Sequence, residues 1–580
     1  MIRRFPVPTA AAAAVFLALA TQAALAQAAT THLGGKPLPQ DRAAGATTVT
    51  VADCQKWLGT LASKEFEGRG TGQPGYEKAA NYVADHFKVL GLEARGENGS
   101  YFQTVPWQMT AVVAAKTSIE FRRGETVLHT IPAERLLGTA TANADATGSV
   151  VLLRPKLVPT QPAEGESGNR RRGGLEVQGL AELDLKGKIV VVSMPPVGDG
   201  QPTTGQTAGV QQAAMARFTV ARALQGKECA AVLYADTAPV QGGLRGRGGM
   251  GRGGGNRAAA GAARSPLDAT FGGDDFAAVL KAVQRDVASL ADLPVLTATD
   301  LTAHVRVAVE EKQAPAMNVF AVLPGSDPKL KDEYVVIGSH LDHLGKAGDV
   351  IRPGADDDGS GTTGVLAVAQ MFAKNPTKPA RSVLFVCFSG EESGLVGSAY
   401  FADHCPIPLA SMVAELQMDM IGRDEEENSE GDKGELAENN RNSLHLIGTK
   451  KLAPALHELC MAKNQTAGFD LEWDQEGMFG RSDHANFARY GVPIAFFFTG
   501  LHKDYHQPTD TPEKINYPKL LRVATYVYDI GFELGTSSAR PEVDPELWAK
   551  YRGKKGEKPA APLAPAKAAP AAGPGSGQER

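Results

Sequence analysis

Five short segments in the second half of the chain each end an apolar, strand-like run with side chains that bind divalent metals. They read GSHLDHLG (His340, Asp342), GADDDGSG (Asp356, Asp357, Asp358), FSGEESG (Glu391, Glu392), LQMDMIG (Asp419) and DYHQPTD (His506). Imidazole and carboxylate suit borderline divalent ions such as zinc, and hydrolytic sites keep one position open for water. Taken singly the segments are ordinary: a lone His-x-Asp or Glu-Glu pair is usually a solvated turn, and Asp-Asp-Asp-Gly is common in loops. The order His, Asp, Glu-Glu, Asp, His at successive strand ends points instead to one two-zinc hydrolytic centre. A carboxylate of the 356–358 run would bridge the ions, one completed by His340 and Asp419, the other by Glu392 and His506. Such a pair acidifies a shared water and polarises a bound carbonyl. Glu391, adjacent to ligand Glu392, is then the general base. Asp342 is placed to accept the second ring N–H of His340. His343, His404, His445, His457 and His502 have no comparable company and read as surface or packing histidines. The acidic run 424–430 reads as a solvated loop, with a calcium site as the lesser alternative.

The elements that must position these residues alternate in type. Strand-like runs at 334–337, 383–388, 412–418 and 494–498 are separated by helical patterns at 362–373, 396–402, 452–462 and 517–534. Fully apolar strands between helices predict an α/β fold, a mainly parallel or mixed sheet sandwiched by helices, with ligands at strand carboxyl ends. Upstream, apolar positions Ala79, Tyr82, Val83, Phe87 and Leu90 fall at helical spacing, closed by Gly91. From about residue 148 the pattern turns to short β-rich runs at 149–153, 188–192, 230–234 and 293–296, with one helical stretch near 211–224. This predicts a separate smaller domain. Inside it, 159–174 and 241–264 are dominated by Gly, Arg, Ala and polar residues without an apolar period, and read as flexible loops.

At 580 residues and 43% hydrophobic content the chain can bury more than one core, and a net charge of −5 with no long basic block outside Gly-rich loops argues against a nucleic-acid partner. Arg3 and Arg4, an Ala-rich apolar run and Ala24-Leu25-Ala26 have the pattern of a secretory signal over 1–26, which predicts export to the periplasm or medium. The run is shorter than the ~20 residues of a spanning helix, so no stable membrane insertion is expected. Five widely spaced cysteines make no zinc-type CxxC pattern; one disulfide is possible, with no pairing assigned. The Ala/Pro/Lys-rich segment 553–580 reads as a disordered tail.

The five motifs resemble those of the co-catalytic di-zinc aminopeptidase family that includes bacterial leucyl aminopeptidase and aminopeptidase S, with glutamate carboxypeptidase, glutaminyl cyclase and the transferrin receptor as relatives. The likeness runs from about Leu61 to about Gly535. It implies His340 and Asp419 on one zinc, Glu392 and His506 on the other, Glu391 as general base, and Asp357 as the bridge, with a cis peptide before Asp358. RSDHANF (Ser482, Asp483, His484) is similar to a family segment near the substrate pocket and is given no ligand role. Residues 143–307, with DLKGKIVVV, ECAAVLYAD and DLPVLTATD, resemble an inserted β-rich protease-associated domain, which would divide the catalytic domain into 45–142 and 308–540. The Gly/Arg-rich loop departs from the compact form of that domain. The implied activity is removal of N-terminal residues from peptides, because an acid-rich centre suits a free α-ammonium group. The alternatives are a carboxypeptidase, for which Arg352, Arg423 and Arg481 are the candidate cations, a one-zinc glutaminyl cyclase, and a binding protein on an inactive scaffold. Side-chain preference and oligomeric state are not encoded in any motif.

Overall fold

The computed structural model describes residues 36–140, 142–159, 175–180, 182–193, 217, 219–224, 226–236, 244–245, 248–249, 267–292, 295–347, 350–426 and 436–552. The leader 1–26, most of both Gly/Arg-rich loops and the tail 553–580 lie outside these. The chain divides into two compact units. One holds the described residues up to Pro106, then Pro315–Lys346 and those from Val350 on; the other is mainly Trp107–Ala314.

The first unit is built on a nine-stranded mixed sheet. Its strands are β1 (Glu93–Ala94), β2 (Phe102–Thr104), β3 (Met317–Leu323), β4 (Tyr334–His340), β5 (Ser382–Phe388), β6 (Met412–Met418), β7 (Ser443–Ile447), β8 (Asp470–Glu472) and β9 (Ile494–Phe498), ordered β1-β3-β5-β4-β6-β9-β7-β8 with β2 also on β3. The central four, β5, β4, β6 and β9, run parallel, and β3 and β7 flank them antiparallel. Every residue of β5, β6 and β9 is buried, as expected of strands covered on both faces. Residues three apart on a strand point to opposite faces. Accordingly, Phe385 meets Phe87 of helix α1 (Pro74–Val89) and Phe372 of α2 (Gly359–Lys374). Phe388 meets Phe401 and Phe487 on the other side. The helix α3 (Tyr517–Thr536) packs Tyr528 and Phe532 against Phe372. The expected α/β sandwich is thus present, and its helix ends differ from expectation by a few residues, since caps and not apolar period set where a helix stops.

The second unit has its own nine-stranded sheet, in which Ala144–Leu153, Ile189–Ser193, Ala231–Asp236 and Leu267–Gly272 run parallel. It begins well before residue 143. The hairpin Ser118–Arg123/Thr126–Pro132 gives its edge hydrogen bonds to the long strand Leu296–Val307, and Phe121 packs on Phe271 in this unit's core. All five cysteines are free thiols. No described helix is long and apolar enough to cross a membrane.

Candidate metal centre

Sheet register brings the first two ligand candidates together. Gly338 of β4 pairs with Gln417 of β6, so two residues later His340 and Asp419 leave the sheet side by side, at the carboxyl ends of parallel strands. Glu391 and Glu392 follow β5, which pairs with β4 so that His340 lies opposite Phe388. The 356–358 run precedes α2. Asp358 caps that helix: its Oδ1 accepts from Gly361 N (2.8 Å) and Met420 N (3.2 Å), and its Oδ2 accepts from His340 N (3.1 Å). One buried carboxylate therefore ties together the exits of β4 and β6 and the start of α2. Gly361 is required there, because a Cβ would lie 2.3 Å from both Asp358 Oδ1 and the Met418 carbonyl. The Asp357–Asp358 peptide is cis, as the family resemblance implied.

Asp357 faces imidazoles on two sides. Its Oδ1 lies 3.3 Å from His340 Nε2, and its Oδ2 lies 3.1 Å from His506 Nε2 and 3.6 Å from His343 Nδ1. On the first side, Asp419 Oδ1 is 3.6 Å from His340 Nε2. On the second, Glu392 is 3.2 Å from His506 Nε2 and 2.7 Å from His343 Nδ1. Glu391 Oε2 stands 4.0 Å from His340 Nε2. All five predicted ligands and the predicted base converge. His506 reaches the centre from a residue with φ of 60°, in the left-handed region that a non-glycine residue adopts at a cost.

Burial and mutual charge set the electrostatics. Burial pushes Glu391 well above the usual carboxylate range, helped by Glu392 and Asp419 and opposed by His340. Burial also raises Asp419. Asp357 is held well below that range despite burial, by His343, His340 and His506, and Glu392 is lowered by His343 and His506 against the effects of burial and Asp357. Burial opposes charge on His340, yet Asp419, Glu391 and Asp358 hold it well above the ordinary imidazole value. The donor set fits a pair of divalent cations on two counts. Asp357 Oδ2, Glu392 Oε1 and both nitrogens of His343 are buried without a hydrogen bond, although buried polar atoms are nearly always satisfied. Most of the separations, 3.1 to 3.6 Å, lie close to the ~3.3–3.6 Å between ligand atoms that share a tetrahedral ion at bonds of ~2.0–2.2 Å.

Three expectations need correction. His343 does not lack company: it is buried beside Asp357 and Glu392, because the chain leaves the strand after His340 and no longer alternates faces. Asp342 holds His340 differently from expectation. The ring Nδ1–H donates to the Asp342 main-chain carbonyl at 3.0 Å, while the carboxylate, 3.8 Å away, accepts the Glu391 N–H at 3.1 Å. Nor is the start of the acidic run solvated. Glu425 is buried against His445, and Asp424 pairs with Lys519 at 2.9 Å. His445 and His502 are likewise buried beside carboxylates, His502 Nε2 lying 3.2 Å from Asp356 Oδ2. His404 is exposed, and His457 is half-buried near Thr449 and Trp473.

Supporting residues escaped sequence reasoning altogether. Arg69 is fully buried and donates to the carbonyls of Leu61, Leu341, Pro353 and Gly354, clamping the loops that carry Asp342 and the 356–358 run. Asp510 accepts from the N–H groups of Asp356 and Asp357. Thr71 Oγ1 accepts from Gly390 N, just before the Glu391-Glu392 doublet. The EGRGTG segment near residue 70 is Gly-rich, but only contacts across more than 250 residues of chain reveal what it does.

Residues 318–530 match the family profile described as Peptidase family M28. Leucine aminopeptidase 1 of Uncinocarpus reesii is 31% identical over 230 residues, covering 37% of this chain and 54% of that protein. Aminopeptidase YwaD of Bacillus subtilis is 27% identical over 234 residues, covering 39% of this chain and 46% of that one. The chain spans about half the length of the curated relatives it matches. Among solved structures, an aminopeptidase from Aneurinibacillus sp. strain AM-1 aligns with a TM-score of 0.47 and 21% identity over 86% of this chain and 97% of that one.

Proposed function

With a peptidase family M28 domain at residues 318–530 as the premise, we propose that the protein is an exported zinc aminopeptidase that removes N-terminal residues from peptides. The observation that carries this reading is Asp357, whose two carboxylate oxygens face His340 and His506 at 3.3 and 3.1 Å with Glu391 alongside. His340 and Asp419 would hold one zinc, Glu392 and His506 the other, with Asp357 between them and His343 as an additional donor on the second side. When bound, such a pair supplies an acidified water and a polarised substrate carbonyl.

The chain's own groups do the rest. Glu391 takes the proton from the attacking water and passes it to the departing amine, the work of a positioned general base. Asp342 fixes the main chain of Glu391. The acid-rich lining of the centre suits a substrate α-ammonium group. Two of the cations a terminal carboxylate would need are engaged: Arg423 pairs with Glu426 and Asp504, and Arg352 donates to the His506 carbonyl. Export rests on the leader pattern of 1–26, and a protease-associated role for 143–307 rests on its sequence resemblance.

Metal analysis combined with a substrate panel tests the reading. Two zinc ions at the centre and hydrolysis of free aminoacyl substrates support it. Cleavage only of N-blocked peptides, or cyclisation of N-terminal glutamine by a one-zinc protein, would overturn it.

A further inference from the structure

A second group of metal-binding side chains lies outside the Asp357 centre, at the edge of the same sheet. His445, in the middle of β7, is buried. Its Nε2 is 2.9 Å from Glu425 Oε2 in a hydrogen bond. Since a carboxylate only accepts, the proton of that bond sits on Nε2. The other nitrogen, Nδ1, lies 3.1 Å from Asp474 Oδ1 and 3.6 Å from Glu472 Oε2 yet makes no hydrogen bond with either.

We propose that His445, Glu472 and Asp474 form a structural site for a further divalent cation of the zinc class, with Glu425 orienting the imidazole. Charge is the first argument. Three carboxylates meet one imidazole, and among the described residues no lysine or arginine pairs with any of the three; Gln475 donates to Glu425 Oε1 at 3.3 Å. Even a protonated ring would leave a net charge of −2 around the buried imidazole, a local potential that attracts a cation.

Geometry is the second argument. The Nδ1–oxygen separations of 3.1 and 3.6 Å are those of ligands sharing one ion, as at Asp357. A carboxylate on one ring nitrogen with a metal on the other is the usual way a protein fixes the tautomer and orientation of a histidine ligand. Imidazole together with carboxylate oxygens favours a borderline ion over calcium. Glu472 and Asp474 keep 34% and 56% of their side chains exposed, which gives the ion a path in. Bound there, it would join the strand β7 to the end of β8, with the stretch after β6 attached through the Glu425–His445 hydrogen bond.

Zinc per chain is measured on the full-length protein after metal depletion, reloading with zinc chloride and dialysis, for wild type and for Glu472→Gln/Asp474→Asn. These two side chains are partly exposed and the substitutions keep their volume, so folding is preserved. The double variant is expected to bind one zinc fewer per chain and to lose part of the zinc-induced rise in unfolding temperature. His445→Ala is expected to do the same. Equal zinc content and an equal temperature rise in wild type and double variant would overturn the site and leave His445 as a buried ion pair. The comparison is a difference between two proteins, so it holds however many ions the Asp357 centre takes.

Discussion

The Asp342 carboxylate accepts the Glu391 main-chain N–H at 3.1 Å, while the carbonyl of the same Asp342 accepts the His340 ring N–H at 3.0 Å. One residue therefore positions both the proposed base and a proposed metal ligand, through different atoms. Replacing Asp342 by Ala removes the first interaction and spares the second. Turnover is expected to fall ~10- to 100-fold, the usual cost of losing a supporting partner, with zinc content retained. Steady-state kinetics and metal analysis of one preparation check this. A loss of zinc matching the loss of activity would mean that Asp342 acts through His340.

Glu391→Gln keeps the shape of the side chain and removes its basicity. Turnover should drop by ~10²- to 10⁴-fold with both ions bound. An unchanged kcat would exclude Glu391 from proton transfer.

Both His343 and His506 face Glu392 and Asp357. Alanine at either is expected to lower zinc content and activity together, because the second ion loses a donor. Full occupancy in His506→Ala would show that His506 is no ligand; full occupancy in His343→Ala would reduce that residue to packing.

His484 is fully buried, its ring stacked 4.6 Å from Phe496, and burial pushes its pKa down to about 3. The unfolded chain takes up a proton near the ordinary value of 6.5, whereas the folded chain does not until about pH 3. Stability is therefore complete above pH 6.5 and is lost progressively as pH falls from there towards 3, by roughly 5 kcal/mol in all. Urea unfolding from pH 7 to 4 should show a steeper decline for wild type than for His484→Gln. Parallel curves would contradict the burial of a neutral ring.

Gly361→Ala places a methyl group against the Met418 carbonyl and the Asp358 carboxylate. A destabilisation of about 1–3 kcal/mol is expected from such overpacking, read as a fall in the urea midpoint. An unchanged midpoint would show that the helix start yields without cost.

The motifs that hold His340, Glu391-Glu392 and Asp419 were legible because each follows an apolar run, and a parallel sheet places its functional residues where such runs end, whereas the 356–358 run opens α2 and His506 lies in the loop after β9. The run SVLFVCF, for example, is followed directly by Ser-Gly-Glu-Glu. The central strands were legible for the same reason: buried on both faces, they read as unbroken apolar stretches. By contrast, β7 (SLHLI) carries a histidine at its midpoint, which breaks the apolar run; its polar residue is tolerable only because Glu425 lies beside it in space.

Periodicity and residue type thus determined the α/β architecture, four of the ligand candidates and the neighbouring base, while the choice of Asp357 within the 356–358 run came from the family resemblance. Only the tertiary structure decided that His343 belongs with them, that Arg69 and Asp510 hold the loops in place, and that Asp342 grips Glu391 by its main chain. These last relationships join residues up to hundreds of positions apart, through main-chain atoms that every amino acid possesses, and no pattern of side chains along the sequence records them.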